Sequence, residues 1–250
     1  MTVSNSTSIE LKTIPYTLDD VTMQGALAVD ASKQGRRPAV LVVHEWWGRN
    51  AFSDDRAKAL AKLGYVGFAV DMYGNHAQAD NPTEASAFSS AIGGNLPLMK
   101  GRFMAAIHAV KQQPEVDPER IAVIGFCFGG TVALSMVRQG VSLRAMAGFH
   151  TGLGGLVPIA HSPINVPVRL YMGGNDPFVP TEQVDTTVKE MRAAGADIEV
   201  VTYPNAKHAF TNPAATQKGE KFNLPLQYNE QAANDSWRQM SSFLADAFKA

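Results

Sequence analysis

Cys127 is the only cysteine of this chain, and it stands in Gly125-Phe126-Cys127-Phe128-Gly129-Gly130. The spacing is that of a Gly-x-nucleophile-x-Gly turn, which presents a reactive side chain at the bend between a strand and a helix. Small neighbours are needed two positions before and after the nucleophile, and Gly125 and Gly129 supply them. A helix following the turn directs its first N–H groups and partial positive charge at the sulfur, which favours thiolate. Taken alone, a lone cysteine is equally well explained as a small buried residue, since free cysteine is among the most buried side chains.

A thiol nucleophile needs a base within reach and a third group to orient that base. Asp176, in Gly173-Gly174-Asn175-Asp176-Pro177, and His208, in Ala206-Lys207-His208-Ala209-Phe210, follow the cysteine. Nucleophile, acid, histidine is the order of α/β-hydrolases and of no other common triad fold. The remaining histidines fit less well. His76 falls in a loop, His108 in a helical pattern and His161 in a Pro-rich segment, while His44 and His150 end strands too early. Asp-Pro in a glycine-rich turn is also ordinary turn chemistry, so Asp176 draws its weight from the strand before it and His208 after it. Glu45, in His44-Glu45-Trp46-Trp47-Gly48, follows another strand. A carboxylate near a thiolate is repulsive, so Glu45 needs a purpose in the site or is a salt-bridged surface residue. On this placement the backbone N–H groups of Trp46 and Phe128 form an oxyanion hole.

The elements that must position these groups are short apolar runs alternating with helical patterns. Strands are expected near Ser8–Ile14 and Thr22–Val29, then at 39–44, 66–71, 120–125, 143–150, 166–173 and 197–203. Helices are expected near 52–63, 83–91, 98–112, from the GFCFGG turn to 138, at 181–194 and at 230–247. Continuously apolar strands separated by helices imply a mostly parallel, doubly wound sheet with helices on both faces. Ligands bind such sheets beyond the carboxyl ends of the strands, where Glu45, Cys127, Asp176 and His208 all fall. No linker or repeat divides residues 1–250, so one α/β domain is expected.

Composition narrows the function classes. A net charge of −1 and no Lys/Arg cluster interleaved with aromatics argue against nucleic-acid or acidic-membrane partners. A single cysteine excludes an internal disulfide framework, the N-terminus lacks the order of a signal peptide, and the longest apolar runs are too short for a bilayer; a cytoplasmic protein is expected. No His-Glu-x-x-His or Cys-x-x-Cys spacing exists, so no metal site is expected.

The motifs HEWWG, DMYG, GFCFGG, GGNDPFVP and HAFTNP together resemble the dienelactone hydrolase family, from about residue 20 to the end of the chain. The resemblance implies an α/β-hydrolase fold and a Cys127-His208-Asp176 triad. It implies hydrolysis of a small ester or enol-lactone through a thioester, without a cofactor. It also implies that Glu45 is an auxiliary glutamate paired with the cysteine at rest. Two substrate-binding arginines of the family pattern are absent; this chain has Gly74-Asn75-His76 and Asn212 at those places. Asparagine lacks the charged, bidentate fork that suits a carboxylate, so uncharged esters are expected to compete well with carboxylate-bearing lactones. Arg102 or Lys207 could supply a charge instead, although a solvated surface role explains each better. Trp47, Tyr73, Asn75, His150, Phe178, Phe210 and Asn212 are the candidate substrate contacts. A small-molecule ester or lactone is the expected partner, and a monomer or small homo-oligomer the expected assembly. The competing reading is a catalytically silent protein of the same fold that binds a small ligand.

Overall fold

The computed structural model describes residues 8–249, so the polar stretch 1–7 used to judge the N-terminus lies outside the described residues. One eight-stranded sheet forms the frame, in the order β1-β2-β4-β3-β5-β6-β7-β8. β1 (Ile9–Leu18) and β2 (Val21–Asp30) form an antiparallel hairpin whose second strand pairs antiparallel with β4 (Val66–Val70). From β4 onward, through β3 (Arg37–Val43), β5 (Val116–Phe126), β6 (Met146–Phe149), β7 (Val168–Gly173) and β8 (Ile198–Tyr203), every pairing is parallel. This is the mostly parallel sheet that the strand pattern implies, and it fits the α/β-hydrolase fold that the resemblance implies.

Alternation along the strands divides the core into two layers. Leu41, Val43, Phe68 and Val123 point to one face, where they meet α3 (Leu96–Lys111), α4 (Phe128–Arg138) and α5 (Thr181–Ala193). Val40, Val42, Ala69 and Ile124 point to the other and meet α1 (Ala51–Lys62) and α7 (Glu230–Ala247). Both sheet faces are thereby removed from water, which is why the strands read as apolar without a break. Among the described residues no helix is long and apolar enough to cross a membrane.

Four elements depart from the sequence expectation, the first being β1, which runs on to Leu18, past the expected Ile14, and pairs with β2 along its whole length. β5 begins at Val116, ahead of the expected 120, because Val116 pairs with Arg37 across an irregularity that accommodates Pro118. β6 spans four residues, fewer than the apolar run suggested. α6 (Ala215–Phe222) was not expected at all: the segment ATQKGEKF is only eight residues long and carries a central glycine. α2 (Pro82–Gly93) and α3 match the two helical patterns and are separated at Gly94-Asn95, where Asn95 caps α3 by accepting from the Leu98 N–H.

Candidate active site

Register brings the strand ends level. Val43 of β3 lies opposite Gly125 of β5, Phe126 opposite Phe149, Phe149 opposite Tyr171, and Gly173 opposite Tyr203. Residues just after five strands therefore share one edge of the sheet.

Cys127 occupies the bend between β5 and α4 with φ 53° and ψ −117°, the strained backbone expected of a nucleophile turn. The two glycines are required by space. A Cβ on Gly125 would run into the Gly129 carbonyl, and one on Gly129 into the Val43 carbonyl. The sulfur is half-buried at the start of α4. Phe128 is the first residue of that helix, so its N–H has no helical acceptor.

His208 lines the same cavity as Cys127, and its Nδ1 is 2.6 Å from Asp176 Oδ2. The other Asp176 oxygen accepts the Phe178 N–H at 2.9 Å, which fixes the carboxylate. Burial alone would lower the pKa of His208, but the negative charge of Cys127 and the bond to Asp176 outweigh it and push it up to about 10.

Glu45 is buried, at 3% exposure, but its partner is not the cysteine. Its Oε2 accepts from Asn212 Nδ2 at 2.7 Å. Burial pushes its carboxyl above the usual carboxylate range, against the pull of the Asn212 bond and the charge of Lys218 on α6. Asn212, expected to touch substrate, thus holds Glu45 instead.

Around Glu45 the HEWWG segment is clamped carbonyl by carbonyl. His44 Nδ1–H donates to the Glu45 carbonyl at 2.6 Å, while His44 Nε2 accepts from the Met72 N–H at 3.2 Å. That pair of bonds fixes one neutral tautomer, and burial lowers the pKa of His44 to about 4. The Tyr73 hydroxyl donates to the Trp46 carbonyl at 2.9 Å, and the Ala79 N–H donates to the Trp47 carbonyl at 3.0 Å. Tyr73 is fixed in turn by Asp71, whose buried carboxylate accepts the N–H groups of Gln24, Tyr73, Gly74 and His76.

A cavity of about 560 Å³ opens at this strand edge. Trp46, Cys127, Phe128, Phe178 and His208 line it, as expected for groups that meet a ligand. The other candidate contacts lie away from its walls. Trp47 is buried and stacks on Phe222, Phe210 is in the core, and Asn75 is an exposed turn residue at φ 53°. Tyr73 serves the clamp. His150 is fully buried with its Nε2 2.8 Å from the Thr211 hydroxyl, and its ring meets the edge of His208 at 5.2 Å. Burial holds it neutral, its pKa driven well below the usual value. Arg102 donates to the carbonyls of Met72 and Tyr73, so it cannot reach a substrate, and Lys207 does not line the cavity. Sequence reasoning missed the remaining walls, among them Ser89, Met99, Thr131 and Leu226, together with five glycines. Adjacent glycines at 93–94 and 154–155 were the available signal.

The family comparison agrees with this geometry. Residues 23–248 match the model of the dienelactone hydrolase family. The chain belongs to the dienelactone hydrolase family. It is similar to a Salmonella typhimurium protein named as a candidate carboxymethylenebutenolidase, 27% identical over 256 residues that cover 98% of this chain and 89% of that one. A dienelactone hydrolase-like promiscuous phosphotriesterase from metagenomic libraries superposes with a TM-score of 0.87 at 31% identity, covering 96% of this chain and 99% of that one. A structure called "m3DLH" gives 0.90 at 33%, covering 96% and 98%. This dienelactone hydrolase family member is accordingly an enzyme of the ester and lactone hydrolase type. Nothing favours the silent ligand-binding alternative.

Proposed function

We propose that the protein hydrolyses small carboxylic esters or lactones through a thioester on Cys127. The observation that carries this reading is the pairing of His208 with Asp176 through Nδ1 at 2.6 Å, beside a cysteine held at φ 53° on a strand-to-helix bend. Nδ1 being engaged, Nε2 is the nitrogen left to serve the sulfur.

The ester carbonyl binds with its oxygen toward the N–H groups of Trp46 and Phe128. Cys127 Sγ adds to the carbonyl carbon, and those two donors stabilise the negative charge that forms on oxygen. As the tetrahedral adduct collapses, the bond to the alkoxy oxygen breaks and His208 gives that oxygen its proton. A water then enters, His208 removes its proton, and hydroxide adds to the thioester carbonyl. Collapse expels the Cys127 thiolate, releases the acid and leaves His208 carrying the proton taken from water, which is the starting state. Asp176 keeps the imidazole in the required tautomer and stabilises its charged form throughout. Glu45, held by Asn212, stays clear of the sulfur so that the thiolate is not opposed by a neighbouring carboxylate. All of these groups come from one sheet edge, as a single working domain requires.

The test is direct. Short incubation with p-nitrophenyl acetate should add one acetyl mass to the peptide carrying Cys127, and Cys127→Ala should lower turnover by at least about a thousandfold. Undiminished turnover in Cys127→Ala, or no turnover together with no labelling by iodoacetamide, would remove this reading.

A further inference from the structure

Apart from Cys127 and His208, no residue lining the cavity carries an ionisable side chain. An anionic substrate would have to leave water for a lining whose one cationic group, His208, is already matched by Asp176 and the Cys127 sulfur, a cost that no further charge in the lining offsets. Glycines from two segments far apart in the chain shape the opening: Gly93 and Gly94 at the end of α2, and Gly152, Gly154 and Gly155 after β6.

Three of these glycines are not required by the backbone. Gly93, Gly154 and Gly155 do not have the positive φ that favours glycine. A Cβ on Gly93 would meet nothing within 4 Å, one on Gly154 would come no closer than 3.7 Å to Gln183, and one on Gly155 no closer than 3.8 Å to Thr131. These are open positions or ordinary contacts. Gly93 even weakens the end of its helix relative to alanine. What the three share is exposure on the rim of the cavity, where a side chain would take up space next to a bound molecule. Phe178 completes the rim at 48% exposure, its ring set edge-on to His208 at 5.2 Å. The rim combines absent side chains with one aromatic face, a shape that fits a flat apolar group.

We propose that the enzyme takes an uncharged ester carrying a bulky apolar group, and that this group lies in the gap where Gly93, Gly154 and Gly155 withhold side chains. The inference rests on the hydrolase reading above and specifies its substrate class.

The experiment uses ethyl acetate, ethyl 3-phenylpropanoate, benzyl acetate and monoethyl glutarate, followed by acid release at constant pH. At least one phenyl-bearing ester should exceed both ethyl acetate and the charged monoethyl glutarate in kcat/KM by tenfold or more. Gly93→Leu and Gly155→Leu should each lower the ratio of the better phenyl ester to ethyl acetate at least fivefold. If a leucine variant fails to fold by circular dichroism, Gly155→Ala reads the same ratio with a smaller decrease. The proposal is overturned if neither phenyl ester surpasses ethyl acetate, if monoethyl glutarate matches them, or if the ratio is unmoved in the variants. Should ethyl acetate still be hydrolysed in a Cys127-dependent way, only the substrate class falls; should no ester be hydrolysed, the hydrolase reading falls with it.

Discussion

The floor of the cavity and its rim are built on opposite principles. On the floor the carbonyls of Trp46 and Trp47 each receive a donor from another segment, the Glu45 carbonyl receives one from the neighbouring His44 ring, and that ring spends both nitrogens on backbone groups. At the rim the wall is made by glycines, with Phe178 half out in solvent. Attack on a carbonyl needs its donors fixed to a fraction of an ångström, whereas accommodating a substrate body needs only room. The difference teaches that the rate and the preference of this enzyme are held by separate residues, so each can be disturbed without the other.

The largest expected effect breaks the floor. Asp176→Asn keeps the shape of the side chain but removes the charge that supports the imidazolium, and kcat/KM should fall by about 10² to 10⁴ on every ester, charged or bulky. Steady-state kinetics over the same ester series checks this. A loss confined to bulky esters would mean that Asp176 belongs to the rim.

A second effect appears in stability. The pKa of His208 is raised in the folded enzyme to about 10, against an ordinary value near 6.5. The folded state therefore binds the extra proton more tightly, and the stability it contributes is complete below about pH 6.5 and lost as pH rises toward 10. Urea unfolding under reducing conditions at pH 6, 8 and 10 should show the difference between wild type and His208→Gln shrinking as pH rises. A constant difference would show that the imidazole is not held as a cation.

The smallest effect sharpens the contrast. Tyr73→Phe removes only the bond to the Trp46 carbonyl, worth about 1 kcal/mol. It should lower kcat severalfold on small and bulky esters alike, with their ratio unchanged, as measured by saturation kinetics. A changed ratio would tie the floor to substrate preference.

Much of the frame could be read before any coordinates, because a buried parallel sheet imposes continuous apolar strands and a nucleophile turn imposes glycines at fixed offsets. Cys127, Asp176 and His208 were singled out by their order along the chain, and the structure pairs His208 with Asp176. The contacts that go astray are those set by pairings distant in sequence. Asn212 meets Glu45 across 167 positions, and Tyr73 meets Trp46 across 27, so no local pattern shows that either side chain serves the clamp and not a ligand. Aromatics beside site residues are poor guides for the same reason: Trp47 and Phe210 satisfy the core. α6 escaped because eight residues with a glycine among them are too few to establish a helix by local pattern, and tertiary packing of residues such as Ala215 and Gly219 holds it.

Asp71 has a consequence for how this edge of the molecule breathes. Its one carboxylate is the common acceptor for amides of Gln24 on the N-terminal hairpin and of Tyr73, Gly74 and His76 in the turn after β4. When that side chain swings away, all four hydrogens lose their acceptor in a single event. Their protection from solvent deuterium therefore rests on one shared opening, set by a carboxylate and not by any strand.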